Sequence, residues 1–401
     1  MKKVLCLSPY SVIPPQYGGA TRIYNIYSEI SSRYQVVHFA QQVTKSNLNF
    51  SVSPILQQVT PTYVEYSCRN PLNIFLYGII SSGLKYPFTF HSEVLSLSAP
   101  NWLRQQVKEA DIINVEHPWQ FPWVYRQNRQ RKPILVTAHN VESVLFDADK
   151  NPGLSLVSKQ YSKDIERRER FTMQHATRVL TMSYQDAEKL VDRYNISPEK
   201  CVTVPNGVDC KLFSPVDSIQ RTQRKRELGF TDKTVVLFAG STHTPNKEAV
   251  EKILQWAEAW PDDNVHFLVV GSVGRTFSHI KLSNVTFTGL VEHVIPYFEA
   301  ADIAINPMIS GSGTNLKQVE YMAMGLPSLA TSIGARGIDL VDGYHGFISD
   351  IENFPNKLRW LINKLDDFDF IRQNSRLFAK ENFDWQVISQ RVVKVYRDLG
   401  C

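Results

Sequence analysis

Two series of short apolar runs, each alternating with amphipathic stretches, limit this chain to a narrow set of folds. In the first series "KVLCL", "VVHFA", "DIINVE", "ILVTAH", "RVLTMS" and "CVTVP" read as strands. Helical stretches such as 159–175 and Tyr184–Tyr194 lie between them. Near-continuous apolar strands separated by helices point to a parallel sheet covered on both faces. Turn formers then interrupt the pattern at "PNGVDCKLFSP", and a polar stretch, "RTQRKRELGFTDK", follows. A second series opens with "VVLFAG" and a helix after Asn246. It continues through "VHFLVVG", "VTFTG", "IAINPM" and "PSLAT". A chain of 401 residues exceeds what one core usually supports. The expected organisation is therefore α/β with two Rossmann-like, doubly wound domains at 1–205 and 233–383. A linker at 206–232 joins them, and an amphipathic helix at 384–401 packs back on the first. Two such sheets are expected to face a central cleft where strand carboxyl ends and helix N-termini converge.

Bulk properties exclude several classes. The formal net charge is only +5, with both signs interspersed, which gives no footprint for nucleic acid but suits phosphorylated ligands. The five cysteines, Cys6, Cys68, Cys201, Cys210 and Cys401, form no CxxC pair, so neither a disulfide framework nor a zinc site is expected, and the location expected is cytoplasmic. The opening "MKKVLCLSPYS" is too short in apolar residues for a signal-peptide core. The apolar run "IFLYGII" falls well below the roughly 18 residues of a membrane span.

Two glycine loops carry the functional reading. Gly18 and Gly19 follow the first strand and precede a helix, so backbone N–H groups there are free to meet an anion. Neither the GxGxxG spacing nor that of a P-loop is present. In the second series Gly311, Ser312, Gly313 and Thr314 lead into a helix expected from Asn315 to Met324, which Gly325 and Pro327 end. Leu316, Val319, Ala323 and Met324 share one face of that helix, and Glu320 falls among them. A carboxylate aimed at apolar surroundings needs either a cation or a set of hydroxyl donors. If the two loops hold a diphosphate, ribose hydroxyls supply the donors, and Lys247 and Lys317 offer positive charge.

The stretches "TVPNGVDCKLF", "VLFAGSTHTPNKEAVEKI", "GLVEHVIPYFEAADIAINP" and "GSGTNLKQVEYMAMGLPSLAT", in this order, resemble the C-terminal domain of retaining glycosyltransferases of family four. "GGATRIYNI", "ILVTAHNVES" and "VLTMSYQDAEKL" resemble its acceptor domain. The resemblance implies the GT-B fold, a nucleotide-diphosphate sugar as donor substrate, retention of anomeric configuration, and no metal or other cofactor. It matches Glu320 to the second Glu of the family's EX7E motif, which binds the donor ribose; the first falls on Ser312. Lys247 matches the basic residue that meets the diphosphate, while the usual Arg before it is Ser241. Lys317 is the candidate compensator, and Gly311 and Gly313 offer main-chain amides. The diphosphate set implied is thus Gly18, Gly19, Lys247, Gly313, Thr314, Asn315, Leu316 and Lys317, with Gly311, Ser312 and Glu320 on the donor sugar and ribose. His139 matches an active-site His near the reacting sugar; with Lys247 and Glu320 it completes the expected catalytic set.

The acceptor is expected to be a glycan or a lipid-linked molecule, in cell-surface polysaccharide or glycoconjugate synthesis. "NPLNIFLYGIISSGLKYPF", with Lys85, and the basic cluster Arg126, Arg129, Arg131 and Lys132 suggest peripheral contact with the inner face of a membrane. The competing account of both is a buried helix and a solvated loop. Two alternatives to a transferase stay open here: a sugar-nucleotide epimerase on the same fold, and a non-catalytic nucleotide-binding scaffold.

Overall fold

The computed structural model describes residues 1–15, 18–42, 55–69, 74–76, 88–147, 156–311 and 314–401. The chain divides into two compact units. One comprises Met1–Pro205 and Ile388–Cys401, the other Asn206–Val387.

The first unit is built on β1 (Lys3–Ser8), β2 (Gln35–Gln42), β3 (Ile55–Thr60), β4 (Tyr63–Arg69), β5 (Ile112–Glu116), β6 (Ile134–Ala138), β7 (Arg178–Thr181) and β8 (Cys201–Thr203). They form one sheet in the order β3-β4-β2-β1-β5-β6-β7-β8. Every pairing is parallel except that of β3 with β4. Strands β5 and β6 are buried at every position, as expected of strands covered on both faces. The six strands expected from the first series are all present. The hairpin of β3 and β4 was not anticipated, because β3 leaves Ile55 and Leu56 exposed and has no buried face to generate a periodic apolar signal.

The second unit holds β9 (Thr234–Ala239), β10 (Val265–Val270), β11 (Val285–Gly289), β12 (Ile303–Asn306), β13 (Ser328–Ala330) and β14 (Phe347–Ile348) in a parallel sheet ordered β11-β10-β9-β12-β13-β14. Strand periodicity sorts β9 onto two cores. Val235 and Leu237 pack on one face with Leu268 and Val270, while Val236 and Phe238 pack on the other with Phe267 and Val269. The stretch 206–232 is more than a linker. It folds into this unit, with Phe213 and Phe230 in the core and a helix, Ser218–Glu227, closed at its start by a reciprocal Asp217–Gln220 capping box.

Arg376, on the helix Asp369–Phe383, ties this segment to the rest of the unit. Its guanidinium donates to the carbonyls of Phe213 and Ala323 at 2.5 Å and of Cys210 at 2.6 Å. The Ala323 carbonyl is one of those that a helix leaves unpaired at its C-terminus, and that helix carries Glu320. Arg376→Met keeps the apolar stem and leaves these acceptors without their donor. It is expected to cost about 2 to 4 kcal/mol in urea unfolding. A loss below about 0.5 kcal/mol would show that water replaces the guanidinium at little cost.

Candidate functional site

In each sheet the chain reverses direction of winding at one place, and the loops that leave the strands there diverge to opposite faces. In the first unit this is between β1 and β5, in the second between β9 and β12. Gly18 and Gly19 follow β1 at the first of these places, with His139 one strand further on after β6, and Lys247 follows β9 and Glu320 follows β12 at the second.

In the first unit Gly18 and Gly19 are the first residues of the helix Gly18–Ile30, which follows β1. A Cβ on Gly19 would stand 2.5 Å from the Tyr10 hydroxyl and 3.9 Å from His139 Nδ1, so the close packing here suits a residue without a side chain. His139, just past β6, is not alone. Its ring stacks on that of His117 at 4.3 Å between centroids and 14° between planes. His139 Nε2 lies 2.8 Å from Glu116 Oε2. Glu116 also accepts from Tyr27, Asn114 and Thr137 at 2.9 to 3.2 Å. Burial opposes ionisation of this carboxyl, but the bond from His139 and the field of Arg22 outweigh it and hold Glu116 below the usual carboxylate range. Burial, reinforced by the nearby His117, pushes His139 down to about 4, so its imidazole is neutral at pH 7. His117, Glu116 and Tyr10 went unread in the sequence. The available signal was an acid followed by a His at the end of a fully buried strand, "INVEH".

The basic cluster lies elsewhere in this unit. Arg126, Arg129, Arg131 and Lys132 occupy or follow the helix Phe121–Gln127 and precede β6, so they lie at the amino edge of the sheet, opposite His139. Most of the apolar stretch 70–88, including Lys85, lies outside the described residues. No described helix is long and apolar enough to cross a membrane.

In the second unit the helix runs Leu316–Ala323, with Asn315 at its N-cap and Met324 at its C-cap, inside the limits expected. Ser312 and Gly313 lie outside the described residues. Thr314 is buried, Leu316 is half-buried, and Asn315 reaches Asn306 Oδ1 at 3.4 Å. Gly311 adopts φ 131°, and its carbonyl accepts from Arg336 at 2.6 Å, which places a guanidinium beside the loop that no sequence pattern had marked. Lys317 does not project freely into solvent. Its Nζ donates to Asn246 Oδ1 at 2.5 Å and sits 4.5 Å above the Phe238 ring. Asn246 in turn donates to the Ser241 carbonyl at 3.0 Å, so the loop after β9 fixes where the Lys317 charge stands. Lys247 is half-buried, and its ammonium makes no hydrogen bond or ion pair with any described residue.

Glu320 is half-buried, and its carboxylate has neither a hydrogen bond nor an ion pair within 4.0 Å among the described residues. A structural ion pair therefore does not account for it. Burial pushes Glu320 up to about 7 against the pull of Lys317, and burial pushes Lys317 down to about 7 against the pull of Glu320. The next residue, Tyr321, is fully buried and accepts from the Ala239 N–H at 2.9 Å, which locks this turn of helix to the end of β9.

Comparison with known proteins agrees with this architecture. The model of "Glycosyltransferase Family 4" matches residues 17–212, and that of "Glycosyl transferases group 1" matches residues 233–365. The D-inositol 3-phosphate glycosyltransferase of Geodermatophilus obscurus is 26% identical over 260 residues, covering 59% of this chain and 55% of that protein. That of Corynebacterium diphtheriae is 25% identical over 312 residues, covering 72% and 70%. The matched stretch thus spans about half to about two thirds of these relatives' own lengths. Among solved structures, sucrose-phosphate synthase from Thermosynechococcus elongatus superposes with TM-score 0.74 at 17% identity, covering 100% of this chain and 99% of that one. The Anabaena protein HepE, in complex with UDP and glucose, gives 0.70 at 16% identity, covering 99% and 100%. At such identity the structures establish a shared fold, the GT-B fold, and nothing finer. Because two family models account for most of both units, the chain belongs to the group 1, family 4 glycosyltransferases.

Proposed function

We propose that this chain is a glycosyltransferase of the hexosyl-transferring class, moving a sugar from a nucleotide-diphosphate donor to a glycan or lipid-linked acceptor with retention of configuration and without a metal. One observation carries the reading: Glu320 presents a carboxylate with no hydrogen-bond or ion-pair partner within 4.0 Å among the described residues, at the switch point of the second sheet and beside the Gly311 loop. Ribose hydroxyls of a nucleotide are the donors that such a carboxylate lacks. The relatives include a mannosyltransferase from Corynebacterium glutamicum named as GDP-mannose-dependent, and HepE was solved with UDP, which supports a nucleoside-diphosphate donor here.

In this reading the bond between the anomeric carbon and the diphosphate breaks while the acceptor oxygen forms its bond on the same face. The acceptor proton passes to the departing diphosphate. The charge that develops there is met by Lys247, Lys317 and the N–H groups at the start of the Leu316–Ala323 helix, which fits an electrostatic mechanism with no protein nucleophile. Among the described residues no cluster of three or more His, Cys, Asp and Glu side chains is set to hold a metal. His139, neutral and held by Glu116, orients a sugar hydroxyl. Synthesis of cell-surface glycans, a cytoplasmic location and peripheral contact with the inner membrane face complete the proposal.

His139→Ala is expected to lower transfer about 100-fold, in the range of a lost positioning contact, and to lower the melting temperature as well, because the buried Glu116 carboxylate loses a donor. Full turnover in that variant would remove the role. Mass spectrometry of nucleotide sugars incubated with and without glycan and lipid-linked acceptors tests the reaction class. Sugar appearing on an acceptor supports transfer, and isomerised donor formed without acceptor would show an epimerase instead. Co-sedimentation with anionic liposomes tests the membrane contact, and no binding at low salt would remove it.

A further inference from the structure

The helix Phe354–Ile362 follows β14 in the second unit. Phe354, Leu358 and Leu361 bury one side of it in the core. The other side, with the two residues after it, presents Asn356, Arg359, Trp360, Asn363 and Lys364, all exposed, and Lys357 half-buried beside them. No Asp or Glu occurs from Asn353 to Leu365; acidic side chains resume at Glu352 and Asp366. Each cation is seated on a ring. Lys357 Nζ lies 4.9 Å and Lys364 Nζ 5.1 Å from the centre of the Trp360 ring, and the Arg359 guanidinium lies 5.4 Å from that of Trp260. Such pairs occur about once in 70 to 80 residues of ordinary structure, so this short stretch concentrates them. None of the three cations has a carboxylate within 4.0 Å among the described residues. Seated on one ring, the two ammonium groups stand no more than about 10 Å apart, and an anion that bridges them meets charges already in place.

We propose that this face, centred on Lys357, Trp360 and Lys364, is a binding surface for an acidic glycan. The ammonium groups meet carboxylate or sulfate groups along the sugar chain, the amides of Asn356 and Asn363 exchange hydrogen bonds with its hydroxyls, and the exposed edge of Trp360 adds apolar area. Other polyanions fit less well. A bilayer takes up a helix by its apolar face, and the apolar face of this one is buried in the core. A nucleic acid is met by an extended basic stripe, whereas Glu352 at one end and Asp366 and Asp367 at the other confine these cations to about two turns. The surface is also separate from the Glu320 site. Trp260, under Arg359, lies just past the end of the helix Thr244–Glu258, about 17 Å of helix rise from Lys247 near its start. Glycan binding here does not depend on the nucleotide-sugar reading. Only its use rests on that reading: the surface retains a glycan acceptor or product between transfers.

Affinity electrophoresis of the full-length protein, without nucleotide, in gels containing alginate, dextran sulfate or neutral dextran tests the proposal. Phosphatidylglycerol vesicles and a single-stranded DNA serve as the other polyanions. Wild type is expected to be retarded by both acidic glycans at low salt, less so as salt rises, and not by dextran. Lys357→Gln combined with Lys364→Gln is expected to weaken that binding about fivefold or more, because two charges meet a repeating anion. Trp360→Ala is expected to weaken it about threefold, since both charges remain but lose their seat, and Trp360→Phe to keep most of the affinity. Nucleotide affinity and melting temperature are expected to stay as in wild type in all of these variants. Wild type that no acidic glycan retards, retardation by dextran as strong as by dextran sulfate, or binding unchanged in the double lysine variant would overturn the proposal. Tighter binding of vesicles or DNA than of either acidic glycan would assign the surface to lipid or nucleic acid and overturn it as well. Wild type that binds glycan but no nucleotide or nucleotide sugar would uphold this surface and overturn the nucleotide-sugar reading instead.

Discussion

Glu320→Ala is expected to weaken nucleotide binding about 10- to 100-fold, the effect of losing hydrogen bonds to a charged acceptor. The titration uses UDP, GDP, ADP and their sugar conjugates against wild type and variant. One base is expected to bind wild type, insensitive to EDTA. Binding that the substitution leaves unchanged would return Glu320 to a structural role. Stability is expected to move the other way. Glu320 sits at about 7 in the folded protein, above its ordinary 4.5, so the folded state holds the extra proton between those values. Stability attached to this group is therefore complete below about pH 4.5 and is lost as pH rises through 7. Glu320→Gln lacks that titration and should gain on wild type across this window in thermal melts. Lys317, lowered to about 7 from 10.5, acts oppositely: its contribution is present above 10.5 and lost as pH falls through 7. Near neutrality the empty protein is thus penalised by both groups, and a ligand that satisfies Glu320 and pairs with Lys317 relieves both.

Gly271→Ala is expected to cost about 3 kcal/mol or more, and to lower nucleotide affinity with it. Gly271 follows β10 at φ 102°, and a Cβ there would come within 2.5 Å of the Gly240 carbonyl oxygen. Two penalties add, because the backbone conformation is one that only glycine adopts freely and the obstructing atom is main chain. The same Gly240 carbonyl accepts from the Val273 N–H at 3.2 Å, and Gly240 precedes the loop that carries Asn246. Any shift that relieves the clash therefore reaches Asn246 and, through it, Lys317. A midpoint in urea unchanged from wild type would show that the loop yields freely.

Apolar continuity made the central strands legible, since a strand buried on both faces leaves an unbroken run such as "VVLFA". It could not reveal β3, whose side chains lie mostly in solvent, or β14, which is only two residues long. The Glu320 helix was legible because a charge among apolar positions is a local anomaly. The role of Lys317 was only half legible: its charge shows in the sequence, but its seat on Phe238 and Asn246 depends on strand pairing between β9 and β12. His117 was missed for a similar reason. Its meaning comes from lying beside His139, and that depends on β5 and β6 being neighbours in the sheet.

Ile388–Cys401 completes the first unit, and Tyr396 within it is fully buried, edge-on to Tyr34. A ribosome must therefore make the whole of Asn206–Val387 before it delivers this last piece, a delay of roughly 10 to 40 seconds at ordinary elongation rates. Throughout that interval the nascent first unit stands open at the surface that Tyr396 will cover. Chaperone capture in the cell is expected to concentrate there, on a unit that lacks only Ile388–Cys401.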